Sequence, residues 1–183
     1  MLLREGRADD AKRQQGVKGI GAEHIEIERK FLIKSPPDLT GLMGEEIRPG
    51  YIKPAADGNP IRVRQKGSRY FQAIKGDGGL KRREREVEIS KEQFDSLWPR
   101  AAGRRLKKAR YEIPYEGFTI ELDVYGGGLE GLVVAEVEFR TEQDSVKFTT
   151  PSWFGQEVTH DRAFRNKNLA KRGLPSKAQL NRA

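Results

Sequence analysis

Residues 25–34 read IEIERKFLIK, and the alternation within them decides the class of fold. In an extended chain, residues two positions apart project to the same side. The three isoleucines and Phe31 therefore share one side, whereas Glu26, Glu28 and Lys30 share the other. This pattern predicts a β-strand with one apolar face and one face made of full charges.

Seven further runs along the chain have a similar β-like composition and length. They span residues 46–53, 61–66, 69–75, 81–90, 105–113, 118–125 and 132–140. Turn sequences rich in glycine separate several of these runs, at residues 57–60, 67–68, 76–79 and 126–128. Eight strands joined mostly by short connections predict an antiparallel barrel or meander.

Helical signals are few in this sequence. Ser90 opens a capping-box sequence, Ser-Lys-Glu-Gln, before a short helix that Pro99 ends. We expect Thr141 to cap a second helix over residues 142–148, and residues 161–172 to form a third. The predicted fold is therefore mainly β (α+β), an eight-stranded antiparallel β-barrel with a few flanking helices.

The length of 183 residues is typical of one domain with a real hydrophobic core. We expect that domain to span residues 23–172. Residues 1–22 carry mixed charge, scattered glycines and little apolar content, so they are predicted to form a flexible N-terminal tail. Residues 173–183 are predicted to form a C-terminal tail.

The composition excludes several classes of chemistry. The chain has no cysteine and two histidines, so thiol chemistry, disulfides and a histidine-based metal site are not expected. Any metal ligands would be oxygens, which favours Mg²⁺ or Mn²⁺. The net charge of +8 favours an anionic partner. Neither a membrane-spanning run nor an apolar signal-peptide core is found, which predicts a cytoplasmic protein with no membrane partner.

Nearly every predicted strand carries its charges on one face. The sets that share a face are Glu26/Glu28/Lys30, Arg62/Arg64, Arg82/Glu84/Glu86/Glu88, Lys108/Arg110/Glu112, Glu121/Asp123 and Glu136/Glu138. One interpretation is a sheet face exposed to solvent. Full charges at almost all these positions, even within the apolar run Val134-Ala-Glu-Val-Glu-Phe139, favour a closed barrel with a charged lumen.

Such a lumen has the side chains that phosphoryl transfer needs. The pairs Glu26/Glu28 and Glu136/Glu138 are suited to divalent cations, because carboxylate oxygens are hard ligands. Guanidinium groups fit phosphate oxygens and lysines act as point charges. The basic residues predicted to bind phosphate are Arg62, Arg64, Arg82 and Arg110, with Lys30, Lys75 and Lys108.

These residues also carry a family resemblance. Glu26-Ile-Glu28-Arg-Lys30 resembles the ExExK signature of the CYTH domain, or triphosphate tunnel metalloenzyme, superfamily. Similar motifs follow in the family's order: Arg62-Val-Arg64, Ala73-Ile-Lys75-Gly76, Arg82-Arg-Glu84-Arg-Glu86, Lys108-Ala-Arg110, Glu121-Leu-Asp123, Glu136-Val-Glu138 and Asn166-Lys-Asn-Leu-Ala170. The resemblance covers residues 24–172 and is close to short bacterial inorganic triphosphatases. One departure is Phe164, where members often have tyrosine.

The resemblance implies an eight-stranded tunnel, Mg²⁺ or Mn²⁺ dependence and hydrolysis of a small polyphosphate or triphosphate, most simply inorganic tripolyphosphate. It implies metal ligands at Glu26, Glu28, Glu136 and Glu138. It implies phosphate contacts at Arg62, Arg64, Lys75, Arg82, Lys108 and Arg110. Tyr51 lies in the family's second strand; beside Lys30 or a metal its phenolate would be favoured, and it would accept a proton from attacking water. Water activated by a second metal is the alternative.

Several other functions stay open at this point. Within the superfamily they are a class IV-type adenylate cyclase and a thiamine or nucleoside triphosphatase. Outside it, the same basic residues would serve a noncatalytic polyphosphate- or nucleotide-binding module. A nucleic-acid partner is not expected, because exposed aromatic residues do not alternate with the basic ones. The sequence leaves open whether two copies pair as a homodimer.

Overall fold

The computed structural model describes residues 24–54, 61–75, 80–176 and 180, without the side chains of His24, Lys75 and Arg82. The predicted N-terminal tail (1–22) and the predicted turns at 57–60 and 76–79 lie outside the described residues. Eight strands correspond to the eight predicted runs. They are β1 (His24–Ile33), β2 (Glu45–Ile52), β3 (Ile61–Lys66), β4 (Arg69–Lys75), β5 (Lys81–Ile89), β6 (Lys107–Tyr115), β7 (Phe118–Gly126) and β8 (Val133–Phe139).

The eight strands close into an antiparallel barrel. Neighbouring strands follow the order β5-β4-β3-β2-β6-β7-β8-β1, and a further pairing of β5 with β1 joins the two ends. The register of that closure sets Glu26 opposite Arg82 and Ile25 opposite Arg83. The predicted eight-stranded antiparallel barrel is therefore confirmed.

A ninth strand, β9 (Phe154–Glu157), was not predicted from the sequence. It pairs antiparallel with the second half of β1, where Phe31 lies opposite Glu157. Its four residues are too few to show a two-residue alternation. The strand forms because β1 is long enough to pair with β5 near its start and with β9 near its end.

Strand β6 continues two residues beyond the predicted end and contains Pro114, opposite Thr119 of β7. Proline cannot donate a ladder hydrogen bond and is normally restricted to sheet edges. Strand β2 pairs with β6 only as far as Arg110. Pro114 is therefore tolerated, because the side of β6 that faces β2 has no strand opposite this residue, and a backbone N–H there would have no partner in the sheet.

The helices are short and flank the barrel. They are α1 (Lys91–Leu97), α2 (Glu142–Lys147) and α3 (Asn166–Arg172), with 3₁₀ turns at Trp98–Ala101, Gly127–Leu129 and Arg162–Phe164. The predicted caps form, since Ser90 completes its capping box and the Thr141 side chain accepts from the Asp144 N–H. No described helix has the length and apolarity needed to cross a membrane.

The single helix predicted over residues 161–172 is wrong. Asp161 caps the 3₁₀ turn by accepting a hydrogen bond from the Ala163 N–H. Arg165 then adopts an extended conformation, with ψ of 130°, and α3 begins after it. The extended residue changes the direction of the chain and separates the two helical segments.

Two apolar clusters cover the outside of the barrel. One contains Ile27, Phe31, Ile120, Leu122, Ala135, Val137, Phe139, Phe148 and Phe154. The other contains Ile52, Val63, Phe94 and Ala101. Because alternate residues of a strand face opposite sides, these contacts direct the intervening charged residues of β1, β3, β7 and β8 into the lumen.

A third apolar cluster lies at one end of the lumen. Its strand residues, among them Leu32, Tyr51, Tyr125 and Val134, are the inward-facing positions at that end. Phe164 and Leu169 from the C-terminal segment pack against them and are almost fully buried. We call this cluster the apolar plug. It covers that end of the lumen with apolar side chains.

Candidate active site

Charged side chains are buried along the inner face of the barrel. Seven of them expose 9% of their surface or less: Glu26, Lys30, Glu84, Lys108, Arg110, Asp123 and Glu136. Buried charges are stable in a protein only when they are paired or bound to a ligand. The inner face is therefore a charged lumen of the kind that the strand pattern favours over an exposed sheet face.

Asp123 of β7 lies at the centre of the first group of inner charges. It has no exposed surface. Two nitrogens of Arg110 donate hydrogen bonds to it, each over 2.7 Å, and Lys108 Nζ donates a third. The arrangement follows from the register, because Arg110 lies directly opposite Asp123. We call Asp123, Lys108, Arg110, Glu121, Glu136 and Lys30 the Asp123 network.

The network continues from β6 to β8 and β1. Arg110 donates to Glu121 and, over 2.6 Å, to Glu136 Oε2. The other oxygen of Glu136 lies 2.6 Å from Lys30 Nζ, which also donates to the Phe164 carbonyl over 3.4 Å. Strands β1, β6, β7 and β8 are thus connected through charges on their inner faces, and Lys30 links them to the apolar plug.

Burial and neighbouring charges change the protonation equilibria of this network. Burial alone would raise the pKa of Glu136, but Lys30, Lys108 and Arg110 outweigh it and hold that pKa well below the ordinary value. The pKa of Glu121 is raised, because burial outweighs the attraction of Arg110. Burial and the nearby Arg110 lower the pKa of Lys108.

A second group of inner charges lies across the lumen, on β3 and β5. Arg62 donates to Glu84 over 2.6 Å and to Glu86 over 2.5 Å, and Arg64 donates to Glu86 over 2.7 Å. Burial of Glu86 opposes its ionisation, but Arg62 and Arg64 outweigh burial and lower its pKa. Arg62 is therefore held between two carboxylates of β5, and Arg64 is held by one of them.

This second group leaves hydrogen-bond donors unused. Within the described residues, the buried Nε atoms of Arg62 and Arg64 have no hydrogen-bond partner. Buried donors are almost always satisfied in folded proteins, and an exception calls for an explanation. Two adjacent guanidinium Nε–H groups on one strand fit the oxygens of a bound oxyanion.

Tyr51 lies in β2 directly opposite Arg62 of β3. Its ring belongs to the apolar plug and exposes only 8% of its surface. From the sequence we expected Tyr51 beside Lys30 or a metal. In the structure, the contacts of Lys30 include Glu136 and the Phe164 carbonyl, whereas the cation facing Tyr51 across the strand pair is Arg62.

Tyr125 connects the barrel to the C-terminal segment. Its hydroxyl donates to Asn166 Oδ1 over 2.5 Å, at the first residue of α3. Burial, together with Asp123 and Glu136, raises its pKa well above the ordinary value. Tyr125 therefore stays a neutral hydrogen-bond donor that fixes α3 over the apolar plug.

The four glutamates predicted to bind metal lie on adjacent strands. The register of β1 and β8 sets Glu28 opposite Glu138 and Lys30 opposite Glu136. Glu26 and Glu136 are buried, Glu28 is half-buried and Glu138 is exposed. Directly opposite residues have Cβ atoms about 5 Å apart, so carboxylates from both strands can reach one ion.

The type of side chain fits a hard divalent cation, since all candidate ligands are carboxylate oxygens. Among the described residues, however, no three Asp, Glu or His side chains already converge on a common point. Glu136 instead bonds Lys30 and Arg110. Each Glu136 oxygen thus accepts one hydrogen bond from a cation and keeps a second lone pair that a metal could use.

Two predicted phosphate ligands have backbone positions only. Lys75 lies opposite Glu84 at the end of β4, and Arg82 lies opposite Glu26 near the start of β5. Their side chains lie outside the described part of the structure. Both residues lie directly opposite inward-facing glutamates, so their backbone positions belong to the inner face of the barrel, as expected from the sequence.

Four inner acidic residues had no functional role predicted from the sequence: Glu84, Glu86, Glu121 and Asp123. Their charged strand faces were visible in the alternation, which was the signal available. What the alternation does not show is which strand lies next to which. Only the register reveals that Asp123 holds two cations and that Glu86 holds Arg62 and Arg64.

The CYTH domain family matches residues 24–172, which span all eight barrel strands and α3. This chain belongs to the CYTH domain family. The resemblance drawn from the ExExK stretch and the motifs after it is thereby confirmed. In this CYTH domain the ExExK stretch forms the part of β1 that pairs with β5 and β8.

Two curated proteins are similar over most of this CYTH domain. The inorganic triphosphatase of Nitrosomonas europaea is 45% identical over 147 residues, covering 79% of this chain and 96% of that protein. The inorganic triphosphatase of Acetivibrio thermocellus is 35% identical over 148 residues, covering 80% and 93%. The crystal structure of the inorganic triphosphatase NE1496 matches with a TM-score of 0.63 and 41% identity, covering 82% of this chain and 97% of that one.

Proposed function

We propose that this chain is an inorganic triphosphatase, which hydrolyses linear tripolyphosphate to pyrophosphate and orthophosphate. The observation that carries the proposal is the charged lumen of the barrel, in which Arg62 and Arg64 pair with Glu84 and Glu86 and keep their Nε–H groups available. The similarity to two inorganic triphosphatases supports the same activity.

Phosphate recognition in this proposal comes from both groups of inner charges. Arg62 and Arg64 bind from one wall, and Lys108 and Arg110 bind from the other. Lys75 and Arg82, whose backbone positions lie opposite Glu84 and Glu26, would add further positive charge to the cradle. Charge-assisted hydrogen bonds from guanidinium groups are stronger than neutral ones, and their planar geometry matches phosphate oxygens.

The CYTH triphosphatase family is metal-dependent, and we propose Mg²⁺ or Mn²⁺ as the ion. Glu26, Glu28, Glu136 and Glu138 would hold it through their carboxylate oxygens. When bound, the ion supplies positive charge against the phosphate oxygens and the developing charge of the leaving group. Substrate oxygens would meanwhile take over the hydrogen bonds of Lys30 and Arg110 that Glu136 now accepts.

The reaction transfers one phosphoryl group to water. The water oxygen bonds to a terminal phosphorus, the bridging P–O bond breaks, and its electron pair leaves with pyrophosphate. The attacking water loses a proton during this step. We propose Tyr51, which lies opposite Arg62 across the β2–β3 pair, as the acceptor of that proton.

A panel of substrates tests the proposed function. Tripolyphosphate, ATP, thiamine triphosphate and pyrophosphate would each be offered with Mg²⁺ or Mn²⁺, while orthophosphate, pyrophosphate and cyclic AMP are measured. We expect the highest kcat/KM for tripolyphosphate, with pyrophosphate and orthophosphate in equal amounts. Formation of cyclic AMP would instead identify a cyclase, and binding without turnover of any compound would identify a noncatalytic module.

Tyr51→Phe tests the proton acceptor. A tyrosine ordinarily has a pKa of about 10, so the wild-type rate should rise with pH as a phenolate becomes available. We expect the variant to lose roughly 100-fold in kcat and to lose that rise, with KM little changed. A full kcat across alkaline pH would eliminate Tyr51 as the base and leave activation of water by the metal. Tyr115→Phe is the matched control, because Tyr115 packs outside the barrel.

A further inference from the structure

A second region of strong positive charge lies outside the lumen. Residues 96–111 contain six lysines and arginines and no acidic residue. Lys108 and Arg110 of this stretch face the lumen, and Lys107 pairs with Glu46. The other three, Arg100, Arg104 and Arg105, lie in the connection between α1 and β6.

Two arginines, Arg105 of this connection and Arg48 of β2, lie over the ring of Trp98, and Arg100 and Arg104 belong to the same connection. The guanidinium carbon of Arg105 lies 4.4 Å from the ring centroid of Trp98, and that of Arg48 lies 5.6 Å from it. Arg105 also donates to the Trp98 carbonyl over 2.5 Å. We call Arg48, Arg100, Arg104 and Arg105 the outer arginine cluster.

The backbone around the cluster is held tightly. Tyr51 N–H donates to the Arg104 carbonyl, and Leu106 N–H donates to the Pro49 carbonyl. Gly50 lies beneath Trp98, and a Cβ atom at Gly50 would come within 2.8 Å of Ala101 Cβ. Glycine is therefore needed for the connection to pack against β2, and the cluster is presented on a rigid surface.

The cluster carries positive charge that the described residues do not neutralise. Arg48, Arg100 and Arg105 are exposed and Arg104 is half-exposed. Within the described ranges none of the four forms a salt bridge, in contrast with Arg62, Arg64 and Arg110 in the lumen. The four cations outnumber Glu46, the nearby carboxylate whose pKa is lowered by Lys107 and, to a smaller extent, by Arg48. Their excess positive charge attracts a polyanion.

The aromatic contacts indicate which polyanion fits. Single-stranded nucleic acids bind by stacking bases on open aromatic faces next to basic residues. Here Phe94 stacks on Trp98 at 5.0 Å, and two arginines lie over the same ring. The ring is therefore not open to a base, whereas the guanidinium edges stay available to phosphate oxygens.

We propose that the outer arginine cluster is a second anion site, which binds a linear polyphosphate chain on the outer surface of the barrel. It is separate from the lumen, because Arg48, Gly50 and Ile52 share the outer face of β2 and Tyr51 faces inward. The proposal does not depend on the proposed triphosphatase activity, since the cluster would bind the chain without cleaving it.

Direct binding of long-chain inorganic polyphosphate tests the second site. Titrations without divalent cations would keep the chain intact and would compare the wild type with two double variants, R48Q/R105Q and R100Q/R104Q. We expect each double variant to bind roughly tenfold more weakly, as for the loss of two exposed ion pairs. The slope of the logarithm of the binding constant against the logarithm of the salt concentration should become less steep by about one to two.

Three comparisons make the result specific to the cluster. R85Q/R140Q removes two exposed arginines elsewhere and should bind like the wild type. R48K/R105K keeps the charges and should recover most of the affinity. Tripolyphosphate turnover should be unchanged in all four double variants, because none of these residues belongs to the two groups of paired charges in the lumen.

Two results would overturn the proposal. One is equal loss of polyphosphate affinity in R85Q/R140Q and in the cluster variants, which would mean a response to net charge alone. The other is tighter binding of single-stranded oligodeoxythymidylate than of polyphosphate with the same number of charges, which would identify a nucleic-acid surface. Both results are binding measurements, so they test the second site even if the protein has no triphosphatase activity.

Discussion

Replacing Glu136 with glutamine is expected to lower kcat/KM for tripolyphosphate by at least roughly 100-fold. The carboxylate is buried on β8, 2.6 Å from Lys30 Nζ and 2.6 Å from a nitrogen of Arg110. Glutamine keeps the size of the side chain but removes the negative charge that a divalent cation requires. Initial rates at several Mn²⁺ concentrations, together with Mn²⁺ binding by calorimetry, would measure the effect.

Glu46→Gln is the matched control for that experiment. Glu46 lies in the barrel wall on β2, but it is exposed on the outer face and pairs with Lys107. Its replacement should leave both turnover and Mn²⁺ affinity close to wild type. Lost turnover with unchanged Mn²⁺ affinity in Glu136→Gln would contradict the role of Glu136 as a metal ligand. It would leave a role in positioning Lys30 and Arg110.

Replacing Asp123 with asparagine is expected to lower the free energy of unfolding by about 3–5 kcal/mol, the typical cost of breaking a buried ion pair. Asp123 has no exposed surface and accepts hydrogen bonds from both Lys108 and Arg110. Without the negative charge of Asp123, the buried side chains of Lys108 and Arg110 would lie side by side with less opposite charge to stabilise them. Urea denaturation at neutral pH would measure the change.

Glu157→Gln provides the contrast, because Glu157 also binds an arginine through two hydrogen bonds. Arg29 donates to it over 3.1 and 2.7 Å, but the pair is partly exposed to solvent. The expected cost is below about 1 kcal/mol. Equal costs for the two variants would contradict the view that burial makes the Asp123 network sensitive. Adding Lys108→Met to Asp123→Asn should recover part of the loss, since it removes one of the two uncompensated cations.

The number of barrel strands and the face that each directs inward were predictable from the sequence. Outward residues such as Ile27, Ile120 and Val137 alternate with inward charges, and that period of two is a local property of an extended chain. The caps of α1 and α2 were also predictable, because a capping bond joins residues only three positions apart.

Features that depend on distant contacts were not predictable in the same way. Strand β9 forms because β1 offers a free edge near Phe31, and the four residues of β9 carry no alternation of their own. The break at Arg165 follows from packing Phe164 and Leu169 into the end of the barrel. In both cases a contact across more than 100 residues sets the local conformation.

The sequence by itself therefore determined the parts of this protein: eight strands, one charged face on nearly every strand, and acidic and basic residues of the kinds that hold metals and phosphates. Only the tertiary structure decided their partners. Glu136 meets Lys30 and Arg110, Tyr51 meets Arg62, and Asp123 is paired with two cations. Side-chain alternation is fixed along the chain, whereas charge pairing depends on the register between strands, which is set when the whole barrel closes.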